Sequence, residues 1–241
     1  MAHFAATLLP AENLYQEGVP YERVFVTGNT VIDVVQWAAE QPFELSRLPI
    51  HPAVFTRSGT RLILVTAHRR ESFGAPLENI GHALRQIVCP VHLNPNIQEE
   101  PVRRILGGVR NVHLLPPREY LPLVHLMKRS FMVLTDSGGI QEGSLGFGIP
   151  VLVLREVTEL PEGIPAGTAR LSGTDTARIV SLVQKLLDDL ADYEAMAHTF
   201  NPYGDGLASD RIAERSSPTD LFTLADATME PHEGLTQVAF S

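Results

Sequence analysis

The sequence predicts an α/β protein built around a doubly wound, Rossmann-like parallel sheet, and two observations support this prediction. First, short apolar runs such as RLILVTA and FMVLT alternate along the chain with stretches whose apolar residues recur at helical spacing. Second, these runs are apolar without alternation, which is typical of parallel strands covered by helices on both faces. The 241 residues, of which 44% are hydrophobic, are sufficient to enclose such a sheet in a packed core.

Each apolar run is expected to form a strand that leads into the helix after it. The expected pairs of strand and helix, in chain order, are RVFVT and TVIDVVQWAAE, RLILVTA and PLENIGHALRQ, IVCPVHL and EEPVRRIL, NVHLL and EYLPLVHLMKR, FMVLT and GGIQEGSLG, and ARL and DTARIVSLVQKLLDD. VLVL is expected to form a further strand between the last two pairs. Asp175 or Thr176 can cap the last helix, where Ile179, Val183 and Leu186 share one apolar face.

The two ends of the chain differ from this middle part. Residues 1–45 contain one strand and helix unit plus a connecting helix, which is too little to close an apolar core, and we interpret them as the remnant of a first Rossmann-like domain. Residues 46–61 carry prolines and little periodicity, which predicts a linker. Residues 62–215 form the main Rossmann-like domain, and residues 216–241, which lack a sustained period, are expected to be a disordered tail.

Composition and charge exclude several classes of function. A net charge of −9 argues against a nucleic-acid surface, since binding to a phosphate backbone depends on an excess of Lys and Arg. No apolar run is long enough to span a membrane, and the start MAHFAATLLPAEN lacks the features of a secretion signal, so the chain is expected to be cytoplasmic. The single cysteine, Cys89, cannot form an internal disulfide and is expected to be a small buried apolar residue.

Polar residues follow three of the predicted strands, at the edge where ligands bind in open α/β sheets. His68, Arg69 and Arg70 follow the strand RLILVTA. A histidine at this position could transfer a proton and the arginines would attract phosphate, although residues that only cap the next helix are the alternative. His92 follows the strand IVCPV within HLNPN, which is also consistent with a simple turn.

The strongest local signal follows the strand FMVLT, where Asp136 and Ser137 precede the pair Gly138 and Gly139. The glycines permit close approach of the backbone, Ser137 offers a hydroxyl, and the next helix presents free N–H groups and the positive end of its dipole. A phosphate group fits this pattern. The spacing matches neither a GxGxxG fingerprint nor a Walker loop, and this stretch by itself is equally consistent with a plain strand-to-helix turn.

Taken together, eight stretches resemble the non-hydrolysing UDP-N-acetylglucosamine 2-epimerases. They are HFAATLLPAENLYQEGVPYERVFVTGNTVIDVV, VTAHRRESFGAPLENI, PVHLNPN, NVHLLPPREYLPLVHLMKRS, LTDSGGIQE, PVLVLREVTELPE, GTARLSGTD and NPYGDGLASDRI, and they cover roughly residues 3–214. The resemblance implies the second half of a GT-B type fold, in which a UDP-sugar lies in the cleft between two Rossmann-like halves. It makes residues 62–215 the nucleotide-sugar-binding domain.

The resemblance also implies a reaction, in which C2 of the sugar is inverted by proton abstraction, anti elimination of UDP to a 2-acetamidoglucal, and re-addition on the other face. The implied activity is therefore that of a UDP-N-acetylglucosamine 2-epimerase, which converts UDP-GlcNAc to UDP-ManNAc without a metal or another cofactor. His68 matches the family histidine that assists at the site. Ser137, Gly138 and Gly139 match residues that hold the diphosphate.

His92 and Arg69 resemble members of the polar lining of the same cleft. The sequence departs from the family pattern at Gly143 and Leu160, where the family has a Glu that binds the ribose and an Arg that reaches the nucleotide. Nearly the whole first domain, which supplies the carboxylates that act at C2, has no counterpart here. We therefore expect an epimerase or the carboxy-terminal half of one, inactive by itself and completed by a partner chain that supplies the first domain, or assembled as a homo-oligomer. The alternative is a degenerate, non-catalytic UDP-sugar-binding or interaction domain.

Overall fold

The computed structural model describes residues 1–66, 86–90, 109, 111–116 and 118–216. The strands are β1 (His3–Ala5), β2 (Val24–Val26), β3 (Leu62–Thr66), β4 (Gln86–Pro90), β5 (Val112–Leu115), β6 (Met132–Thr135), β7 (Val151–Val153) and β8 (Ala169–Leu171). The helices are α1 (Leu8–Gln16), α2 (Thr30–Glu40), α3 (Ala53–Thr56), α4 (Tyr120–Arg129), α5 (Gly138–Leu145), α6 (Thr176–Asp188), α7 (Leu190–Ala197) and α8 (Ala208–Arg215). Short 3-10 turns lie at Tyr21–Arg23, Leu45–Arg47 and Pro161–Gly163.

The centre of the fold is a six-stranded sheet with the order β5-β4-β3-β6-β7-β8, in which every pair of neighbours is parallel. Strands β3, β6 and β7 are buried along their whole length, as their unbroken apolar runs predict. The register between the two central strands pairs Ile63 with Met132 and Thr66 with Thr135, so their carboxyl ends are level.

Helices cover both faces of this sheet. On one face, α6 and α7 pack on the strands, and the buried residues of that core are Ile63, Val65, Met132, Leu134, Leu152, Leu154, Ile179, Val183, Leu186 and Met196. On the other face, α2 and α4 pack on Leu62, Leu64 and Val133. The predicted doubly wound α/β class is therefore confirmed.

The start of α6 follows the predicted capping pattern. The side chain of Asp175 accepts a hydrogen bond from the backbone N–H of Arg178 at 2.8 Å, and this bond satisfies one of the free donors of the first turn. The expected apolar face, Ile179, Val183 and Leu186, is buried against the sheet. Asp175 is thus the capping residue of the two that the sequence offered.

Residues 46–61, predicted as a linker, are packed against the main domain. They contain the short helix α3, and Leu48, Ile50 and Val54 are buried in the same core as α2 and α4. The predicted helix in EEPVRRIL and the predicted tail from residue 217 onward lie outside the described residues. The predicted helix in PLENIGHALRQ also lies outside them except for its last residue, Gln86, which begins strand β4 instead. Among the residues that are described, no helix is long and apolar enough to cross a membrane.

The first strands form a separate small sheet. Strand β1 pairs in parallel with β2, and α1 buries Ala11 against Ala5 and Val24. Helix α2 then leads to the large sheet, where it packs on α4 and α5, and α8 returns from the end of the chain to pack on α2. The backbone N–H of Asn29 donates to the carbonyl oxygen of Tyr203 at 2.7 Å, so the start of α2 is tied to the segment before α8.

Candidate functional site

The carboxyl ends of β3 and β6 lie side by side at the same edge of the large sheet. The hydroxyl oxygens of Thr66 and Thr135, which end these strands, are 2.6 Å apart and hydrogen-bonded. The backbone N–H of Asp136 donates to the carbonyl oxygen of Thr66 at 3.4 Å. The chain therefore leaves both strands at one edge, with Thr66 two residues before His68 and Thr135 two residues before Ser137.

Helix α5 begins at this edge and presents its first turn there. Ser137 occupies the capping position, and its backbone N–H donates to the Thr135 hydroxyl at 3.0 Å, but its side chain makes no capping hydrogen bond. The first N–H groups of a helix have no partner within the helix, and they carry the positive end of the helix dipole. A β-carbon placed on Gly139 would meet no described atom within 4 Å, so this part of the turn is open to an approaching group.

A loop of residues 158–163 stands over the same turn. The side chain of Leu160 lies 3.5 Å from the position that a β-carbon on Gly138 would occupy. The hydroxyl of Thr158 donates to the side-chain oxygen of Gln141 at 3.0 Å and accepts from the backbone N–H of Leu160 at 3.1 Å. These bonds hold Leu160 against the start of α5.

The side chain of Tyr203 binds two backbone groups of this loop. Its hydroxyl donates to the carbonyl oxygen of Leu160 at 2.9 Å and accepts from the backbone N–H of Gly163 at 3.0 Å. The ring is buried in a core with Ile32 and Leu145. Burial is the main reason that the pKa of the Tyr203 phenol lies above its ordinary value, so the hydroxyl stays protonated and can donate.

Two carboxylates join the small first sheet to this region. Glu142 of α5 accepts a hydrogen bond from the side-chain amide of Asn29 at 2.5 Å, and Glu162 accepts one from the hydroxyl of Thr7 at 2.5 Å. Burial raises the pKa of Glu142, the Asn29 amide lowers it, and the charge of Glu162 raises it further. Asn29 lies three residues after the end of β2 and Thr7 two residues after the end of β1, so the carboxyl edges of the two sheets face each other here.

A cation lies at the next strand end. Arg155 follows β7, and its guanidinium donates to Glu159 at 3.1 Å while its Nε atom is buried without a partner. An open cavity of about 670 Å³ adjoins it, lined by Leu154, Arg155, Glu156, Val157, Thr158, Glu159 and Thr174. Among the described residues, no group of three or more His, Cys, Asp or Glu side chains could hold a metal ion.

Of the residues predicted for the site, Ser137, Gly138 and Gly139 lie together at the edge of the sheet. His68, Arg69 and His92 lie outside the described residues, so their roles stay predictions. Sequence reasoning did not single out Asn29, Gln141, Glu142 or Tyr203. The signal for Gln141 and Glu142 was available, since they are three and four residues after Gly138 and therefore share its helix face.

Position 143 has a different surrounding from its neighbour Glu142. A β-carbon on Gly143 would meet the side chains of Met127 and Val35 at 3.5 Å, so this position faces the core between α5, α4 and α2. The carboxylate of α5 that faces the first sheet is that of Glu142. Position 143 therefore faces the core and forms no part of the surface at the start of α5.

Comparison with known proteins gives the family. A profile of the UDP-N-acetylglucosamine 2-epimerase family matches residues 1–215. The UDP-N-acetylglucosamine 2-epimerase of Escherichia coli (strain K12) is 50% identical over 226 residues, which make up 89% of this chain and 60% of that protein. The resemblance predicted from the eight sequence stretches is thus confirmed.

Solved structures agree with this match. The UDP-GlcNAc 2-epimerase from Neisseria meningitidis bound to UDP-GlcNAc has a TM-score of 0.73 and 42% identity, over 88% of this chain and 60% of that one. The S. aureus MnaA–UDP co-structure has a TM-score of 0.77 and 36% identity, over 97% of this chain and 64% of that one. This chain therefore spans about 60% of the length of its relatives, and the predicted placement within a GT-B type fold is confirmed over that part. The chain belongs to the UDP-N-acetylglucosamine 2-epimerase family.

Proposed function

We propose that this chain binds a UDP-sugar with its diphosphate at the start of α5, and that it forms the nucleotide-sugar-binding part of an enzyme that interconverts UDP-GlcNAc and UDP-ManNAc. Two relatives support the ligand, because the N. meningitidis protein was solved with UDP-GlcNAc and the S. aureus protein with UDP. We propose the division that the sequence predicts, with residues 1–45 as the remnant of a first Rossmann-like domain plus a connecting helix and residues 62–215 as the nucleotide-sugar-binding domain.

The observation that carries the proposal is the contact between the ends of β3 and β6. The hydroxyls of Thr66 and Thr135 are 2.6 Å apart, so the last residue of β3, two positions before His68 in the sequence, lies beside the strand end that leads to Ser137. A diphosphate on the α5 amides would then lie beside the segment proposed to act on the sugar. Backbone donors at the start of a helix are suited to this ligand, because they combine free N–H groups with the helix dipole.

In the proposed reaction, a base removes the C2 proton and the C1–O bond to UDP breaks, which gives a 2-acetamidoglucal and UDP. UDP then returns to C1 while C2 is protonated on the opposite face. Negative charge grows on the leaving phosphate oxygen as the C1–O bond breaks, and fixed amide donors stabilise such charge more in the transition state than in the substrate. Residues 137–139 would hold the diphosphate, His68 would assist at the sugar, and Arg69 and His92 would line the cleft.

The activity needs groups beyond those of this chain, since the chain spans about 60% of the E. coli protein. We propose that a partner chain supplies the first domain and its carboxylates, or that copies of the chain assemble. The two-stranded sheet of β1 and β2 supports a partner, because two strands rarely stay folded alone and because Leu8 and Val26 beside it are exposed. We also retain the prediction that the protein works in the cytoplasm.

A non-catalytic UDP-sugar-binding domain is the second candidate, and one observation favours it. The side chain of Leu160 covers one side of the start of α5 at Gly138, where a cation would be better suited to a diphosphate. A domain of this kind would bind UDP but would give no turnover with any partner.

Titration calorimetry with UDP and an assay of UDP-GlcNAc turnover test the two candidates. The proposed function expects UDP to bind to the chain, and expects UDP-ManNAc to form when the first domain of a relative is supplied. Binding without turnover in every combination would select the second candidate. If neither UDP nor UDP-GlcNAc binds to the native chain or alters its melting temperature, the proposed ligand is wrong.

A further inference from the structure

The side chain of Gln141 is a buried polar group beside the start of α5. The residue is only 2% exposed, and its side-chain nitrogen is buried without a hydrogen-bond partner. Buried side-chain donors in folded proteins almost always have a partner. The two N–H groups of the Gln141 side chain are therefore expected to donate to an acceptor that is present when the protein functions.

The side-chain oxygen of Gln141 faces Thr158. The hydroxyl of Thr158 accepts from the backbone N–H of Leu160 at 3.1 Å and donates to this oxygen at 3.0 Å. The nitrogen of Gln141 therefore points away from Thr158.

The amide also lies beside the first turn of α5. Gln141 is three residues after Gly138, which places both on one face of the helix, and helical side chains tilt toward the N-terminus of their helix. Both residues face the same short loop, since Leu160 lies 3.5 Å from the position of a β-carbon on Gly138 and Thr158 donates to the side chain of Gln141. The unpartnered N–H groups thus lie next to the free backbone donors of the first turn.

On the basis of the proposed function, we propose that Gln141 is a ligand-binding residue, whose side-chain N–H groups donate to a phosphate oxygen of the diphosphate at the start of α5. Leu160 covers this face in the structure, so the side chain of Leu160 must shift as the ligand enters. The Thr158 bond keeps the amide oriented during that shift. A phosphate oxygen is the fitting acceptor, because the adjacent backbone amides favour an anion and the Gln141 nitrogen can only donate.

Three variants separate this role from a purely structural one, with UDP and inorganic pyrophosphate as probes. Gln141→Glu keeps an oxygen for Thr158 but replaces the donor with a negative acceptor, Gln141→Met removes both, and Thr158→Val removes the hydroxyl that donates to Gln141 and accepts from Leu160. We expect UDP affinity to fall by about tenfold or more in Gln141→Met and further in Gln141→Glu. The control is Ser144→Ala, because Ser144 is buried on the same helix and donates to the carbonyl oxygen of Ile140, and it should bind UDP as the native chain does.

Thermal melting without ligand is recorded for each variant, because Gln141→Met also removes the acceptor of the Thr158 hydroxyl and some loss of stability is expected there without any role in binding. If the native chain binds UDP and both Gln141 variants bind it equally well, Gln141 has no ligand role and the inference is overturned, while the proposed function stands. If the native chain itself gives no UDP binding, both fall. Should a variant fail to fold, the side-chain amide signal of Gln141 in the native chain decides: it should shift on addition of UDP, and an unmoved signal refutes the contact.

Discussion

The two glycines at the start of α5 differ in what surrounds them. Gly138 faces the side chain of Leu160 at ordinary contact distance, whereas Gly139 faces open space among the described atoms. Neither residue has a positive φ angle, so their backbone geometry does not require glycine. Glycine at 139 is therefore not required for the helix to fold, but it leaves space for another group to approach the start of the helix.

We expect Gly139→Ala to weaken UDP binding by tenfold or more without loss of stability. A methyl group at 139 would occupy the space through which a phosphate reaches the backbone donors, while alanine in a helix is favoured over glycine by about 0.5–1 kcal/mol. Calorimetry with UDP and thermal melting measure the two effects. Gly143→Ala is the matched control on the same helix, since position 143 faces Met127 and Val35. Equal loss of UDP affinity in both variants would contradict the assignment.

Tyr203 shows how one buried hydroxyl supports the loop over the site. It donates to the carbonyl oxygen of Leu160 and accepts from the N–H of Gly163, and both backbone groups would lose their partner without it. We expect Tyr203→Phe to lower the free energy of unfolding by about 1–3 kcal/mol, the usual cost of buried groups left unpaired. Denaturant unfolding measures this change. A loss below a few tenths of a kcal/mol would show that water replaces the hydroxyl.

At the scale of elements, Arg211 of α8 makes an exposed ion pair with Asp205 and a hydrogen bond to the segment between β2 and α2. Both guanidinium nitrogens of Arg211 donate to the Asp205 carboxylate at 2.8 Å, and one of them also donates to the carbonyl oxygen of Thr27 at 3.1 Å. The hydrogen bonds from Arg211 are the main reason that the pKa of Asp205 falls to about 2. Arg211 thus connects the last described helix to Thr27, the residue after β2.

We expect Asp205→Asn to lower the melting temperature at pH 7 by no more than about 3 °C, because exposed ion pairs contribute little. A carboxyl whose pKa is lowered by folding adds stability above its ordinary value of 3.8, and this contribution is lost as the pH falls toward 2. The difference between variant and native chain should therefore shrink over that range. Melting curves recorded at several pH values measure it, and a constant difference down to pH 2 would rule out the ion pair as its cause.

At the scale of the whole molecule, two carboxylates hold the small first sheet against the large one. Glu142 accepts from Asn29 and Glu162 accepts from Thr7, across 113 and 155 residues of sequence. Thr7 occupies the capping position of α1, but its hydroxyl is used for Glu162 and makes no cap. The Thr7 hydroxyl thus bonds to Glu162, far along the chain, and not to the first turn of its own helix.

We expect Glu142→Gln to stabilise the chain at pH 7, by about 1 kcal/mol or less, because glutamine keeps the oxygen for Asn29 without a half-buried charge beside Glu162. A carboxyl whose pKa is raised by folding contributes stability below its ordinary value of 4.5, and this contribution is lost as the pH rises through the folded pKa. The advantage of glutamine should therefore disappear toward pH 4. Unfolding at pH 4 and pH 7 measures it, and a variant that is less stable at pH 7 would contradict the cause given for the shift.

Which features can be predicted from the sequence depends on how far apart in the chain the interacting residues are. Strands β2 to β8, the helix starts at Thr30, Gly138 and Thr176, and the glycine turn follow from local spacing, because neighbouring residues determine a buried strand or a helix face. Strand β1 was not predicted. The family followed from eight stretches in order. The packing of Leu48, Ile50 and Val54 was not predictable, since prolines mask the apolar pattern of residues 46–61.

The sequence by itself determined that this chain has a doubly wound parallel sheet and that it resembles one epimerase family. It also predicted a phosphate site at the turn from Ser137 to Gly139. Only the tertiary structure decided which residues surround that turn. Leu160 over Gly138, the unpartnered amide of Gln141, and the contacts of Glu142 and Glu162 with the first sheet join positions far apart in the chain. Local periodicity carries no record of such pairs, because the packing of whole elements brings them together.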